Sequence, residues 1–194
     1  MAAKRKISKK LDKKKKKRWF SIFAPKNFGG AELGESHVVV PQNLMGKIIK
    51  VNLSKISRVR SQNMRLKFEV TEVRDEQGFT EPIAYELLKT QVNRLARKNK
   101  SKIDASLTLN ARDNKKIIIK PIVITRGKIK GGTHTTLKAK LVSTLEKEVK
   151  KSTFDTLLDS ILKYDLQKML KNELKTITPI NKVEIKYLSK FKEK

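Results

Sequence analysis

Residues 13–36 read KKKKKRWFSIFAPKNFGGAELGES. Five lysines and Arg18 run straight into Trp19, Phe20, Ile22, Phe23, Pro25 and Phe28, so charge too dense to pack gives way at once to side chains apolar enough to fold. The only tryptophan sits at the seam. On the N-terminal side, residues 1–18 hold eleven Lys/Arg and one acid, Asp12, and are expected to form a disordered basic arm until something anionic orders them. On the C-terminal side we expect Trp19, Phe20, Phe23 and Phe28 to pack as core beside Ala24 and Pro25, which makes the stretch an anchor that pins the arm to the body.

The 194 residues suffice for one domain with a tail, read here as an arm over 1–18 and a single domain over 19–194. The arm carries a net +10 of the chain's +28, so the body is basic in its own right. That much positive charge repels itself and asks for a polyanion, with nucleic acid foremost. No cysteine is present, which excludes disulfides and thiolate metal sites. No apolar run is long enough to span a bilayer, and the basic start lacks the continuous apolar block of a signal peptide. No membrane partner is expected.

Beyond the seam the pattern is that of an α+β chain. Val38-Val39-Val40, residues 47–53 and residues 66–73 read as strands; in the last, Leu66, Phe68 and Val70 alternate with charged side chains. Gly46 and residues 75–78 supply turns, and residues 54–63 form an exposed connection with Lys55, Arg58 and Arg60. Pro82 can open a helix, and Ile83, Leu87, Leu88, Val92 and Leu95 then make an amphipathic stripe over 82–98. Residues 103–110 and 115–125 flank the turn at 111–114 as a hairpin, with Pro121 implying an edge, a bulge or a break. Residues 126–136 read as a flexible basic loop. Leu137, Leu141, Leu145 and Val149 mark a helix, Ser152 or Thr153 can cap further helix as far as Leu174, and residues 182–188 alternate as a last strand.

Catalytic and metal chemistry need converging groups, and the sequence offers none. His37 and His134 have no histidine or carboxylate partner at metal-ligand spacing; His37 reads as a strand residue and His134 as a loop residue or phosphate contact. Glu69 and Glu72 lie three apart on a strand and face opposite ways, so they form no acid/base pair. Gly131-Gly132 lacks the Gly-Lys-Ser/Thr ending of a nucleotide loop, though Arg126, Lys128 and Lys130 leave phosphate-backbone contact open beside a plain solvated turn. Gly29-Gly30 reads as a solvated turn. Aromatics at 6% are too sparse for a repeated stacking platform, which favours phosphate and shape recognition over base stacking. No enzyme activity, cofactor or metal is expected.

Residues 17–28, followed by Leu33-Gly34-Glu35-Ser36, resemble the opening of the archaeal and eukaryotic small-subunit ribosomal protein family called S three Ae: a basic tail, Trp-aromatic, Ala-Pro, a Phe, then Leu-Gly-acid-Ser. Leu44-Met45-Gly46-Lys47 leading to Val51-Asn52-Leu53, and residues 177–186 around Pro179, are similar to two further family motifs in the same order. The resemblance implies an antiparallel β-barrel-like sheet with an amphipathic helix and a C-terminal helical section. It implies a structural constituent of the small ribosomal subunit in the cytoplasm, on the platform near the mRNA exit. The implied partners are small-subunit rRNA, neighbouring subunit proteins and mRNA near the exit, with no homo-oligomer. The chain stops soon after its last strand, which points to an archaeal-type ribosome. The expected phosphate contacts are Lys13, Lys14, Lys15, Lys16, Lys17, Arg18, Lys26, Arg58, Arg60, Arg126, Lys128, Lys130, Lys138 and Lys140. The competing reading is a free nucleic-acid chaperone or architectural protein.

Overall fold

Alternation along one strand settles which rings go inside. In β1 (Arg18–Phe23) Phe20 and Ile22 are buried, so Trp19 between them and the arm must face the other way, and it is 64% exposed. The expectation that Trp19 packs in the core is therefore corrected: a strand cannot bury two consecutive side chains on one face. The computed structural model describes residues 16–56, 63–74 and 77–191. The arm as far as Lys15, the loop cations Arg58 and Arg60, and the turn residues Asp75 and Glu76 lie outside the described residues. Among the described residues the fold is α+β, with nine strands and five α-helices. The described residues divide into two compact units, those within 1–60 and 67–82 and those within 61–66 and 83–194.

In the first unit β1 pairs antiparallel with β2 (Glu32–Val38) and parallel with the start of β5 (Gln77–Leu87). Strand β3 (Ile48–Asn52) pairs with β4 (Met64–Arg74), which also pairs with β5. Phe20, Ile22, Val38, Leu44 and Val70 form the core, with Ile49 and Val73 packed against it. Phe28 meets Phe68 edge to face at 5.5 Å and Phe23 lies against Phe79 at 6.5 Å, so of the ring cluster at the seam Phe20 is buried and Phe23 and Phe28 are half-buried. Gly29 and Gly30, at φ 76° and 61°, turn the chain from Pro25 back to Ala31, a conformation that glycine enters without steric cost.

The second unit is built around β9 (Ile180–Lys190). It pairs antiparallel with the second half of β5 and with β8 (Lys116–Thr125), and β8 pairs in turn with β6 (Lys102–Asp104) and β7 (Leu107–Asn110). Ile117, Ile119, Ile122, Ile185 and Leu188 are buried along β8 and β9, and Leu141, Leu145, Ile161 and Leu170 are buried in the helical section. Glu184 is 2% exposed and its Oε1 meets Lys182 at 2.6 Å. Its Oε2 and the buried Tyr85 hydroxyl have no hydrogen-bond partner among the described residues.

Several elements differ from expectation, each for a reason of packing. Strands β1 and β2 begin before the triple valine, because Trp19 and Phe20 alternate and β2 carries polar residues on its open face. Residues 82–87 continue β5 instead of opening a helix, and only α2 (Lys89–Leu95) is helical, after α1 (Leu53–Ile56). The ladder of β5 with β1 ends at Phe79 and that with β9 begins at Ala84. Pro82 falls between them, where its missing N–H costs neither ladder a bond. Residues 131–136, expected as loop, are the first turns of α3 (Gly131–Lys151). Thr153 caps α4 (Phe154–Leu162) in a capping box with Thr156, and Tyr164, at φ 64°, breaks the run before α5 (Asp165–Leu174).

Candidate nucleic-acid interface

Pro121 has no N–H to give the sheet, and the β8–β9 register slips beside it: Lys120 stands opposite Tyr187, but Pro121 stands opposite Ile185. Lys186 is the extra residue of this bulge. A bulge re-aims a side chain, and here Lys186 comes to line one cavity with Lys120 and Pro121. On the opposite edge of β8, Ala105 and Ser106 separate β6 from β7 and, with Asp104 at the end of β6, complete the wall. Lys138 reaches the cavity from α3, whose Leu137, Leu141, Leu145 and Val149 hold the other side of the helix in the core. The cavity is open and about 280 Å³ in volume.

Three lysines thus line one open cavity, roomy enough to admit a phosphate group. Asp104 is the one carboxylate on the wall, and it is held by Lys102 at 2.6 Å. The Lys120 Nζ lies over the Tyr187 ring, 5.6 Å from its centroid, a cation–π contact that holds the ammonium group at the β8–β9 ladder. Like charges gathered in this way repel, and an anion between them relieves the repulsion.

The segment leading into α3 adds a second cationic feature. Thr125 is buried; its hydroxyl donates to the Gly127 carbonyl at 2.6 Å, and the Ser101 N–H donates to that hydroxyl at 3.0 Å. The Ile129 N–H donates to Ser101 Oγ at 3.1 Å, and the Arg126 N–H to the Pro179 carbonyl at 3.0 Å. These bonds pin residues 126–130, which the sequence presented as flexible. Arg126, Lys128 and Lys130 are exposed along the pinned turn. The first helical bond, from the His134 N–H to the Lys130 carbonyl, leaves the N–H groups of Gly131, Gly132 and Thr133 at the positive end of a helix whose first turn holds no acid. Both glycines are exposed, with open space where a Cβ would stand. His134 is therefore a first-turn helix residue, not a loop residue.

The other expected contacts are placed separately. Lys16 and Lys17 are exposed ahead of β1, Arg18 begins it, and Lys26 is exposed on the 3-10 turn Lys26–Phe28. Lys140 is exposed on α3 but does not line the cavity. Lys13, Lys14, Lys15, Arg58 and Arg60 are outside the described residues. Sequence reasoning missed Lys120 and Lys186. The signal was present in Pro121, because a bulge was one of its expected consequences, but only the pairing of β8 with β9 tells which lysine the bulge redirects. Among the described residues no group of three His, Asp or Glu side chains is placed to hold a metal ion, and no helix is long and apolar enough to cross a membrane.

Comparison with known proteins finds the same kind of chain. The chain is 30% identical over 173 residues to the small ribosomal subunit protein eS1 of Haloquadratum walsbyi, an alignment covering 89% of this chain and 82% of that protein. It is 24% identical over 186 residues to the eS1 protein of Methanoculleus marisnigri, covering 95% of this chain and 94% of that one. The model of the Ribosomal S3Ae family matches residues 5–193. With nearly its whole length so matched, the chain belongs to the Ribosomal S3Ae family.

Proposed function

We propose that this chain is a structural constituent of the small ribosomal subunit that binds rRNA by neutralising phosphates at two built cationic features, the Lys120–Lys138–Lys186 cavity and the pinned segment at the start of α3. As a member of a ribosomal protein family it has a structural role, not an enzymatic one. The observation that carries the binding site is the bulge at Pro121, which gathers three lysines around one cavity with a single, already paired carboxylate. The similarity to eS1 proteins of archaea supports the ribosome as the setting. We place the chain on the platform near the mRNA exit, beside other subunit proteins, on the strength of the family likeness.

Each phosphate contact releases counterions, so the affinity for rRNA falls with salt at a slope set by the number of phosphates neutralised. Replacing Lys120, Lys138 and Lys186 with Gln is expected to lower the slope of log K against log salt by about two to three for a small-subunit rRNA fragment. Filter binding with the full chain across a salt series measures it. An unchanged slope would remove the cavity from the interface.

A further inference from the structure

Deepening the RNA-binding reading, and resting on it, we propose that Trp19 and His37 form a stacking site for one unpaired RNA base, with Lys16 and Lys17 taking the phosphates that flank it. Register places His37 directly across from Trp19 on β2. Their rings stack with centroids 4.6 Å apart and planes 23° from parallel. The imidazole therefore braces the indole on one side. At 64% exposure Trp19 is the most exposed of the large apolar side chains in the described residues, so most of the ring is open to solvent.

Fold stability gives no reason for this arrangement, since Phe20 and Ile22 already supply the buried face of β1. A flat ring held in a fixed plane is what a nucleobase requires: every base has a π-face, and stacking on an aromatic side chain is worth enough to hold one base in place. The charge beside the ring selects the partner. Lys16 and Lys17 are exposed immediately ahead of Arg18 and Trp19, within reach of a backbone whose base lies on the indole. Glu35, across from Ser21, and Glu32, across from Phe23, bound the site at its other end and direct phosphates back toward the lysines. An apolar protein partner would meet cations on one side and carboxylates on the other. A base with its phosphates meets complementary groups at the ring and at the lysines.

The chain has one tryptophan, so its emission reports this site alone. The experiment titrates the full chain with oligoadenylate, which offers unpaired bases, and separately with a blunt RNA duplex, which offers phosphates without them. Stacking predicts that oligoadenylate quenches the emission and the duplex does not. It also predicts that Trp19→Ala weakens oligoadenylate binding by about tenfold while Trp19→Phe weakens it less, and that duplex affinity changes with neither. Duplex binding with no response to oligoadenylate overturns the stacking site and leaves the RNA reading standing. Failure to bind either RNA overturns both. An emission shift that appears only when other subunit proteins are added, with oligoadenylate silent, assigns Trp19 to a protein contact and also overturns the proposal.

Discussion

Trp19 and Phe20 are neighbours in sequence and opposites in energetics. Removing a buried phenylalanine deletes its transfer free energy and leaves a cavity, so Phe20→Ala is expected to cost about 3–5 kcal/mol of stability. Trp19→Ala is expected to cost less than about 1 kcal/mol, because the ring is mostly in water already. Urea unfolding of the two variants checks the contrast, and a large loss for Trp19→Ala would return that ring to the core. Tyr85 gives a prediction of opposite character. Its hydroxyl is buried without a hydrogen-bond partner among the described residues; burial, then the charge of Glu184, then Tyr164, push its pKa far up. Above pH ~10 the unfolded hydroxyl ionises while the folded one stays protonated, so the native state binds more protons and stability falls as pH rises. Tyr85→Phe is expected to flatten that alkaline loss and, near neutral pH, to leave stability unchanged or raise it by up to about 1 kcal/mol. Urea midpoints at neutral and alkaline pH read both effects.

At the scale of elements, helices with regular apolar spacing were legible and the places where tertiary pairing competes were not. Leu137, Leu141, Leu145 and Val149 mark α3 plainly, yet its first turn, Gly131 to Thr133, has no apolar period to show because that turn faces solvent. Ile83, Leu87 and Leu88 fit a helical stripe as well as they fit a strand. The choice falls to β5 because Ala84, Tyr85 and Glu86 pair with Ser189, Leu188 and Tyr187 of β9, a partner more than a hundred residues away that a local window does not include. The cap was readable as one of two neighbouring hydroxyl residues, Ser152 or Thr153, ahead of the apolar run, and it is Thr153. Thr153→Ala removes the side-chain acceptor for the Thr156 N–H and is expected to cost about 1 kcal/mol, measured by thermal or urea unfolding.

Across the whole molecule, charge was the most legible feature and its organisation the least. A net +28 asks for a polyanion whatever the fold. Which lysines converge depends on a bulge, which Pro121 signals without telling its partner strand, and on Lys138 arriving from a helix, which no local motif announces. Arg126, Lys128 and Lys130 could be picked out because they sit together in sequence; Lys120, Lys138 and Lys186 come together only in the fold. The arm is tested separately, because replacing Lys13, Lys14, Lys15, Lys16 and Lys17 with Gln is expected to lower the salt slope of rRNA binding by several units while leaving the unfolding midpoint of the body unchanged. A slope equal to that of the unaltered chain would make the arm idle. The central claim is that this basic α+β chain works as part of the small ribosomal subunit, and sedimentation of the cell extract through a sucrose gradient at moderate salt tests it most directly. The account predicts that the chain migrates with the small subunit and leaves that position when the rRNA is digested; most copies remaining at the top of the gradient would contradict it and favour a free nucleic-acid chaperone.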